Sequence, residues 1–200
     1  MILAAGESSR MGRDKALLPW PPRSSAGSQA GTFLSAAIQL LQPHTQLVIV
    51  VAGKNADSIA PVVYAHGAFL AVNRAPERGQ FSSLQVGLQE VLNHGRDAAI
   101  VALVDRPPAQ SRTVDLLCLT FAEAIEQERW AVIPEYGGKH GHPILVGREM
   151  IETFLKAPPT ASARDVEHSV QPRMVYLPVD DPRVVSNVDT PEDYAALQLQ

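Results

Sequence analysis

The chain has 200 residues, 46% of them apolar and 19% charged, which is enough for one domain with a sizeable core and excludes a disordered chain. Its net charge is −4, which argues against a dedicated nucleic-acid binder; the positive charge gathers near the N-terminus, where it suits a small anionic ligand. A single cysteine, Cys118, rules out an internal disulfide, no apolar run approaches the roughly 18 residues of a membrane span, and no signal-peptide pattern opens the chain, so a cytoplasmic protein without membrane association is expected. Short apolar runs at Ile2–Ala5, Leu47–Ala52, Phe69–Val72, Ala98–Val104, Ala131–Pro134 and Met174–Leu177 do not alternate in polarity. They read as strands covered on both faces. Helical spacing or helix-start signals mark Thr32–Leu41, Ser82–Leu92, Thr113–Glu128, Arg148–Lys156 and Pro191–Leu197, the last opening on Thr190 and Pro191. Cys118 falls in the third of these and reads as a buried helical thiol. Strands alternating with helices predict an α/β fold, a single three-layer Rossmann-like domain over 1–200 with a mostly parallel sheet. Pro21–Gly31 and Ala157–Ser162 read as loops, the first mobile by composition. The first strand is short, which leaves an upstream start open.

The segment after that strand, Gly6-Glu7-Ser8-Ser9-Arg10-Met11-Gly12-Arg13-Asp14-Lys15, combines glycines, hydroxyls and cations. The carboxyl edge of a buried strand is where α/β folds bind ligands. Glycines let backbone approach a ligand, amides and hydroxyls donate to phosphate oxygens, and Arg10 and Lys15 neutralise charge. Five residues separate Gly6 from Gly12 and no Lys-Ser/Thr follows, so this is not a Walker A loop, and it lacks the glycine register of a dinucleotide fingerprint.

The stretch Leu3-Ala4-Ala5-Gly6-x-Ser8-x-Arg10-Met11-Gly12-x-x-Lys15 resembles the signature of the nucleotidyltransferases, and more narrowly the branch containing the molybdenum cofactor cytidylyltransferases. The resemblance implies the nucleotide-diphospho-sugar transferase type of fold. It also implies a nucleotide site at Leu3, Ala4, Ala5, Gly6, Ser8, Gly12 and Lys15. Asn73 opens a segment similar to the family's Asn…Gly-x-x-Ser-Ser-Leu, which implies that Asn73, Gly79, Ser82 and Ser83 help hold base and sugar; a serine-capped helix start is an equally valid reading of the two serines. Asp105 ends an apolar strand, and a carboxylate there can hold Mg²⁺ against a triphosphate or cap a helix. The family usually carries Gln after this Asp; Arg106 departs from that pattern and bears on the acceptor. Gly141-His142-Pro143 resembles a substrate-side loop, with His142 facing substrate or forming a turn. His140 and His142 have His-x-His spacing without a third ligand nearby. Asp189, in Val188-Asp189-Thr190-Pro191-Glu192-Asp193, resembles the family's second Mg²⁺ carboxylate, with Asn187 in the first acidic position; capping the last helix is its alternative. Asp180 and Asp181 read as a turn.

The expected activity is Mg²⁺-dependent transfer of a nucleoside monophosphate from an NTP to a phosphorylated small acceptor, with release of pyrophosphate. Lys15, Arg10 and Asp105 would carry it, and His142 and Arg106 would face the acceptor. The Leu-Ala-Ala-Gly opening favours CTP and the molybdenum cofactor, molybdopterin, over the Leu-Ala-Gly-Gly of the guanylyltransferase branch, which uses GTP. A molybdenum enzyme or its maturation factor is the implied partner. Two alternatives are a sugar-phosphate or phospho-alcohol nucleotidyltransferase and a non-catalytic nucleotide-binding partner of a molybdenum enzyme.

Overall fold

The computed structural model describes residues 1–6, 8, 10–22 and 31–197; most of the loop expected at Pro21–Gly31, residues 23–30, lies outside them. In chain order the elements are β1 (Ile2–Leu3), β2 (Pro19–Trp20), β3 (Gly31–Thr32), α1 (Phe33–Leu41), β4 (Ile49–Ala52), α2 (Ala56–Ala65), β5 (Phe69–Val72), α3 (Gln80–Asn93), β6 (Ala98–Leu103), α4 (Ser111–Glu126), β7 (Ala131–Tyr136), β8 (Lys139–His140), β9 (Ile144–Gly147), α5 (Arg148–Lys156), α6 (Ala163–Ser169), β10 (Met174–Pro178) and α7 (Pro191–Ala196). Among the described residues the main sheet has eight strands, in the order β10-β7-β9-β6-β1-β4-β5 with β8 paired on β7. Along that path every pairing is parallel except the two made by β9. A separate β2–β3 hairpin pairs Pro19 with Thr32.

The apolar runs become strands because both faces are covered. Successive residues alternate between two cores: Ile2, Val50 and Ile100 face one, Leu3, Val51 and Val101 the other. On the first face pack α1, α2 and α4, through Phe33, Ile38, Ile59, Val63, Leu117 and Phe121. On the second pack α3, α5 and α6, through Phe81, Leu88, Met150, Phe154 and Val166. Helix starts follow local chemistry. Thr32 and Ser35, Ser162 and Asp165, and Thr190 and Asp193 each form a reciprocal capping box, which satisfies amides that the first helical turn leaves free.

The three-layer α/β/α architecture with a mostly parallel sheet was expected. Six elements were not: the short strands β2, β3 and β8, and α2, β9 and α6. The strand expected over Ile2–Ala5 ends its regular ladder at Leu3, although the Ala4 amide still donates to the Val51 carbonyl at 2.8 Å. Cys118 on α4 is half-buried, and burial followed by the nearby Asp115 pushes its thiol pKa up.

After β1 the chain builds β4 and β5 on one side, and α3 then carries it back to lay β6 on the other. The strand order therefore reverses between β1 and β6. In open α/β sheets the crevice beyond the carboxyl ends at such a point is where ligands bind. Among the described residues no helix is long and apolar enough to cross a membrane.

Candidate active site

A cavity of about 300 Å³ opens at that crevice, lined by Leu3, Ala5, Gly6, Ser8, Lys15, Pro76, Gly79, Gln80, Ser83, Val104 and Asp105. Two sequence-distant strand ends supply its opposite walls. Ser8 sits in the left-handed region at φ 49°, a conformation that costs energy for a non-glycine residue and gathers at binding loops. Its hydroxyl accepts from the Lys15 amide at 3.2 Å, and its carbonyl accepts from the Met11 amide at 3.0 Å. Gly12, at φ 70°, turns the loop on the exposed side, away from the cavity. The turn carrying Lys15 is capped by Asp14, whose Oδ1 accepts from the Ala16 amide at 2.9 Å.

Asn55 binds these pieces together. Its Nδ2 donates to Asp14 Oδ2 at 2.7 Å and to the Ala4 carbonyl at 2.9 Å, and its Oδ1 accepts from the Gly53 amide at 3.1 Å. One half-buried amide thus ties β1, the Lys15 turn and the start of α2. The sequence reading missed it, although an asparagine one residue before a helix is a recognised start signal.

Lys15 Nζ lies 2.7 Å from Asp189 Oδ1, with its side chain 12% exposed. Arg10 approaches the same oxygen only to 3.9 Å and is 73% exposed, so it is a rim cation contributing little to stability. Asp189 is held through its backbone: its amide and that of Thr190 both donate to Asp193 Oδ2, at 2.9 and 2.8 Å. The neighbouring Val188 amide donates to the Asp105 carbonyl at 2.8 Å, which straps the Asp189 segment across the end of β6. Asp189 is therefore presented by the last helix's cap while Asp193 does the capping. Asp105 Oδ1 is buried without a hydrogen-bond partner. An orphaned carboxylate oxygen at a cavity wall calls for a cation or donor from a ligand. Among the described residues no group of three or more His, Cys, Asp or Glu could hold a metal. Carboxylate oxygens of this kind are the donors a hard cation takes, with its remaining oxygens supplied by bound phosphates.

The Asn73 segment is arranged differently from its expected ligand role. Asn73 and Ser82 are buried behind the cavity wall; only Gly79 and Ser83 of the four expected residues line it. Asn73 Nδ2 donates to both serine hydroxyls, at 2.9 and 3.0 Å, and its Oδ1 accepts from the Ala75 amide at 2.9 Å. Ser82 Oγ donates onward to the Gly79 carbonyl at 2.7 Å. Gly79 adopts φ 91° at the start of α3, a conformation open to glycine and strained for other residues.

A second cavity of about 490 Å³ adjoins the first and shares Leu3, Gly79 and Gln80 with it. His142 lies on its wall. The His142 amide donates to the Val184 carbonyl at 2.9 Å, and Arg106 donates to the same oxygen. His142 Nδ1 and Arg106 Nε are both buried without partners. Burial, and then the charge of Arg106, lowers the His142 pKa to about 3, so the imidazole is neutral at physiological pH. Burial also pushes the Arg106 guanidinium below its ordinary value, against the pull of Asp105 and Asp189. A Cβ on Gly141 would stand 2.4 Å from the Val184 carbonyl oxygen, so the close approach of this loop requires glycine. His140 parts from His142. It stacks on Tyr176 with centroids 4.1 Å apart, and its Nε2 is 3.6 Å from Glu135. Asp180 is exposed. Asp181 is fully buried and accepts from the Gln110 amide, the Thr113 hydroxyl and the Arg183 amide, a structural clamp.

Residues 1–174 match the profile of the MobA-like NTP transferase domain. The chain belongs to that family. Among curated proteins this MobA-like chain is 24% identical over 207 residues to the molybdenum cofactor cytidylyltransferase of Escherichia coli (strain K12), covering 97% of the chain and 92% of the relative. It is 29% identical over 201 residues to a protein of Mycobacterium avium (strain 104) named "Probable molybdenum cofactor guanylyltransferase", covering 98% and 93%. Among solved structures, Rv0371c of Mycobacterium tuberculosis H37Rv superposes with a TM-score of 0.80 at 23% identity, over 100% of this chain and 96% of that one. A second structure of Rv0371c is a complex with manganese; it superposes with a TM-score of 0.73 at 21% identity, over 98% and 95% of the two chains. The family's chemistry is nucleotidyl transfer.

Proposed function

We propose that this MobA-like chain transfers a cytidylyl group from CTP to the phosphate of molybdopterin, the molybdenum cofactor's pterin, with pyrophosphate as the other product. The observation that carries the reading is the pairing of a cation-bearing, glycine-rich loop with an orphaned Asp105 carboxylate across one cavity at the β1/β6 switch point. The triphosphate occupies this cavity, met by the backbone around Ala5 and Gly6 and by the Ser8 hydroxyl. Lys15 moves its donors from Asp189 to the phosphates, and Arg10 adds charge from the rim. Asp105 and Asp189 hold Mg²⁺, which supplies charge neutralisation at the phosphates. An acceptor phosphate oxygen forms the new bond to the α-phosphorus as the bond to the bridging oxygen of pyrophosphate breaks. An ionised acceptor phosphate needs no general base, so the protein acts by positioning and by matching charge. The second cavity, with Arg106 and the neutral His142 beside it, takes the acceptor; the product passes to a molybdenum enzyme or its maturation factor. Residues 1–200 act as a single unit in this scheme.

The 29% identity to a protein named as a guanylyltransferase supports GTP as the second reading. Thermal-shift titration with Mg²⁺ and each of CTP, GTP, ATP and UTP decides between them. At a hundredfold excess over Kd, a ligand that binds only the folded state adds about 2.7 kcal/mol, and at about 2–4 °C per kcal/mol the midpoint should rise by about 5–10 °C. A shift confined to CTP supports the reading, and a shift confined to GTP replaces it with guanylyl transfer. ATP or UTP moves the assignment to sugar-phosphate chemistry. Nucleotide binding without pyrophosphate release, with molybdopterin supplied, makes the chain a non-catalytic partner.

A further inference from the structure

The second cavity contains a carboxylate that the scheme above leaves unused. Glu167, on α6, lines it together with Arg164 and, on the nucleotide side, with Gly79 and Gln80. Glu167 is half-buried, yet its carboxylate accepts no hydrogen bond and makes no ion pair with any described residue. Burial raises its pKa, and the charge of Arg164 three residues earlier opposes the rise. The floor between Glu167 and the shared wall is apolar, formed by Leu3, Phe81 and Ile144 among others. A flat ring fits such a floor, and the Glu167 carboxylate at one end of it, with both oxygens free of partners among the described residues, is open to donors from that ring. On the shared wall, Gly79 and Gln80 open α3, whose first turn has no side-chain cap; the amides that a helix start leaves free suit the phosphate end of the same molecule.

We propose that Glu167 selects the acceptor by accepting two parallel hydrogen bonds from a 2-amino-4-oxopyrimidine edge, one from the ring N3–H and one from the exocyclic amine. This rests on the pterin acceptor proposed above and gives that acceptor its specificity-determining residue. A carboxylate offers two acceptors, which match the two donors of a pterin edge. A 2,4-dioxo edge, as in lumazine, presents one donor and one acceptor and leaves one carboxylate oxygen facing a carbonyl. An amide offers one acceptor and one donor, and so matches the dioxo edge instead.

The test titrates the full chain, in the presence of Mg²⁺ and the non-cleavable α,β-methylene analogue of CTP or of GTP, with 6-hydroxymethylpterin monophosphate and with its lumazine counterpart. The wild type should bind the pterin about 10- to 100-fold more tightly than the lumazine, the worth of one charge-assisted hydrogen bond. Glu167→Gln should abolish or invert that ratio while leaving the thermal midpoint and the binding of the nucleotide analogue unchanged. A ratio unaltered by Glu167→Gln, including equal weakening of both probes, overturns the assignment of Glu167 and leaves the pterin acceptor standing. A wild type that binds the nucleotide analogue but neither probe overturns the pterin acceptor and this inference together. A wild type without preference between the probes overturns the inference alone.

Discussion

Asn73→Ala separates a residue that touches the nucleotide from one that holds the wall the nucleotide touches. The Asn73 side chain makes three buried hydrogen bonds, to Ser82, Ser83 and the Ala75 amide, at 2.9, 3.0 and 2.9 Å. At about 1 kcal/mol each, their loss costs about 3 kcal/mol. The alanine offers no polar atom to the Ala75 amide, and water has little access to a site where Asn73 is 4% exposed. For a chain of 200 residues, 1 kcal/mol moves the thermal midpoint by about 2–4 °C, so the variant should melt about 6–12 °C lower. The serines and the Gly79 turn then lose their anchor, and because Gly79 and Ser83 line the cavity, KM for the nucleotide should rise about tenfold or more. Differential scanning calorimetry and a pyrophosphate-release assay read the two effects on one preparation. A raised KM with an unchanged midpoint would refute the scaffold reasoning and restore Asn73 to direct contact with the nucleotide.

Asp105→Asn should lower pyrophosphate release about 100-fold or more while keeping most of the nucleotide binding; unchanged turnover would remove Asp105 from the metal site. Chelation with EDTA should stop turnover and added Mg²⁺ restore it, with retained activity in EDTA counting against a metal on these carboxylates. Gly141→Ala places a Cβ against the Val184 carbonyl and should destabilise the fold by about 1–3 kcal/mol in urea unfolding; a neutral effect would show that this loop can withdraw. For His142 the folded pKa of about 3 lies below the ordinary 6.5. Between these values the unfolded chain binds the extra proton, so stability falls as pH drops from 6.5 towards 3, by up to about 1.4 kcal/mol per pH unit. Urea unfolding across that window should show a shallower slope for His142→Asn, and parallel slopes would place the imidazole in solvent.

The parallel strands were legible because apolar runs covered on both faces need no partner information to be recognised. The glycine-rich loop at the cavity was legible because Gly6, Ser8, Lys15 and their spacing lie within one short stretch. Other elements depended on context. Only Ile59 and Val63 of α2 are buried and Pro61 interrupts its interior, so its periodicity is faint. In β9 the run Ile144-Leu145-Val146-Gly147 directly follows Gly-His-Pro, and its turn residues dominated the reading. Asn73 and Ser82 stand in the segment that reaches the cavity through Gly79 and Ser83, but whether an amide points at a ligand or at its own loop is decided by packing. Asn55 and Glu167 stand in no compact motif; each becomes notable only when distant segments are folded against it.

The reversed strand β9 has a consequence for how this protein can be taken apart and rebuilt. Running against its neighbours, it brings its entry loop, Gly141–Pro143, to the edge where β1 and β6 send out their exit loops. The two cavities thereby draw on the chain differently: every lining residue of the first lies at or before Asp105, whereas the second is lined from both sides of α4, by Leu3, Phe81 and Leu103 among others before it and by His142, Ile144 and residues 161–164 and 167 after it. Exchange of the later stretch between relatives, with the junction in α4, would replace the His142 and α6 walls of the second cavity and leave every lining residue of the first in place. Recombination at that junction can thus reshape one cavity without altering the lining of the other.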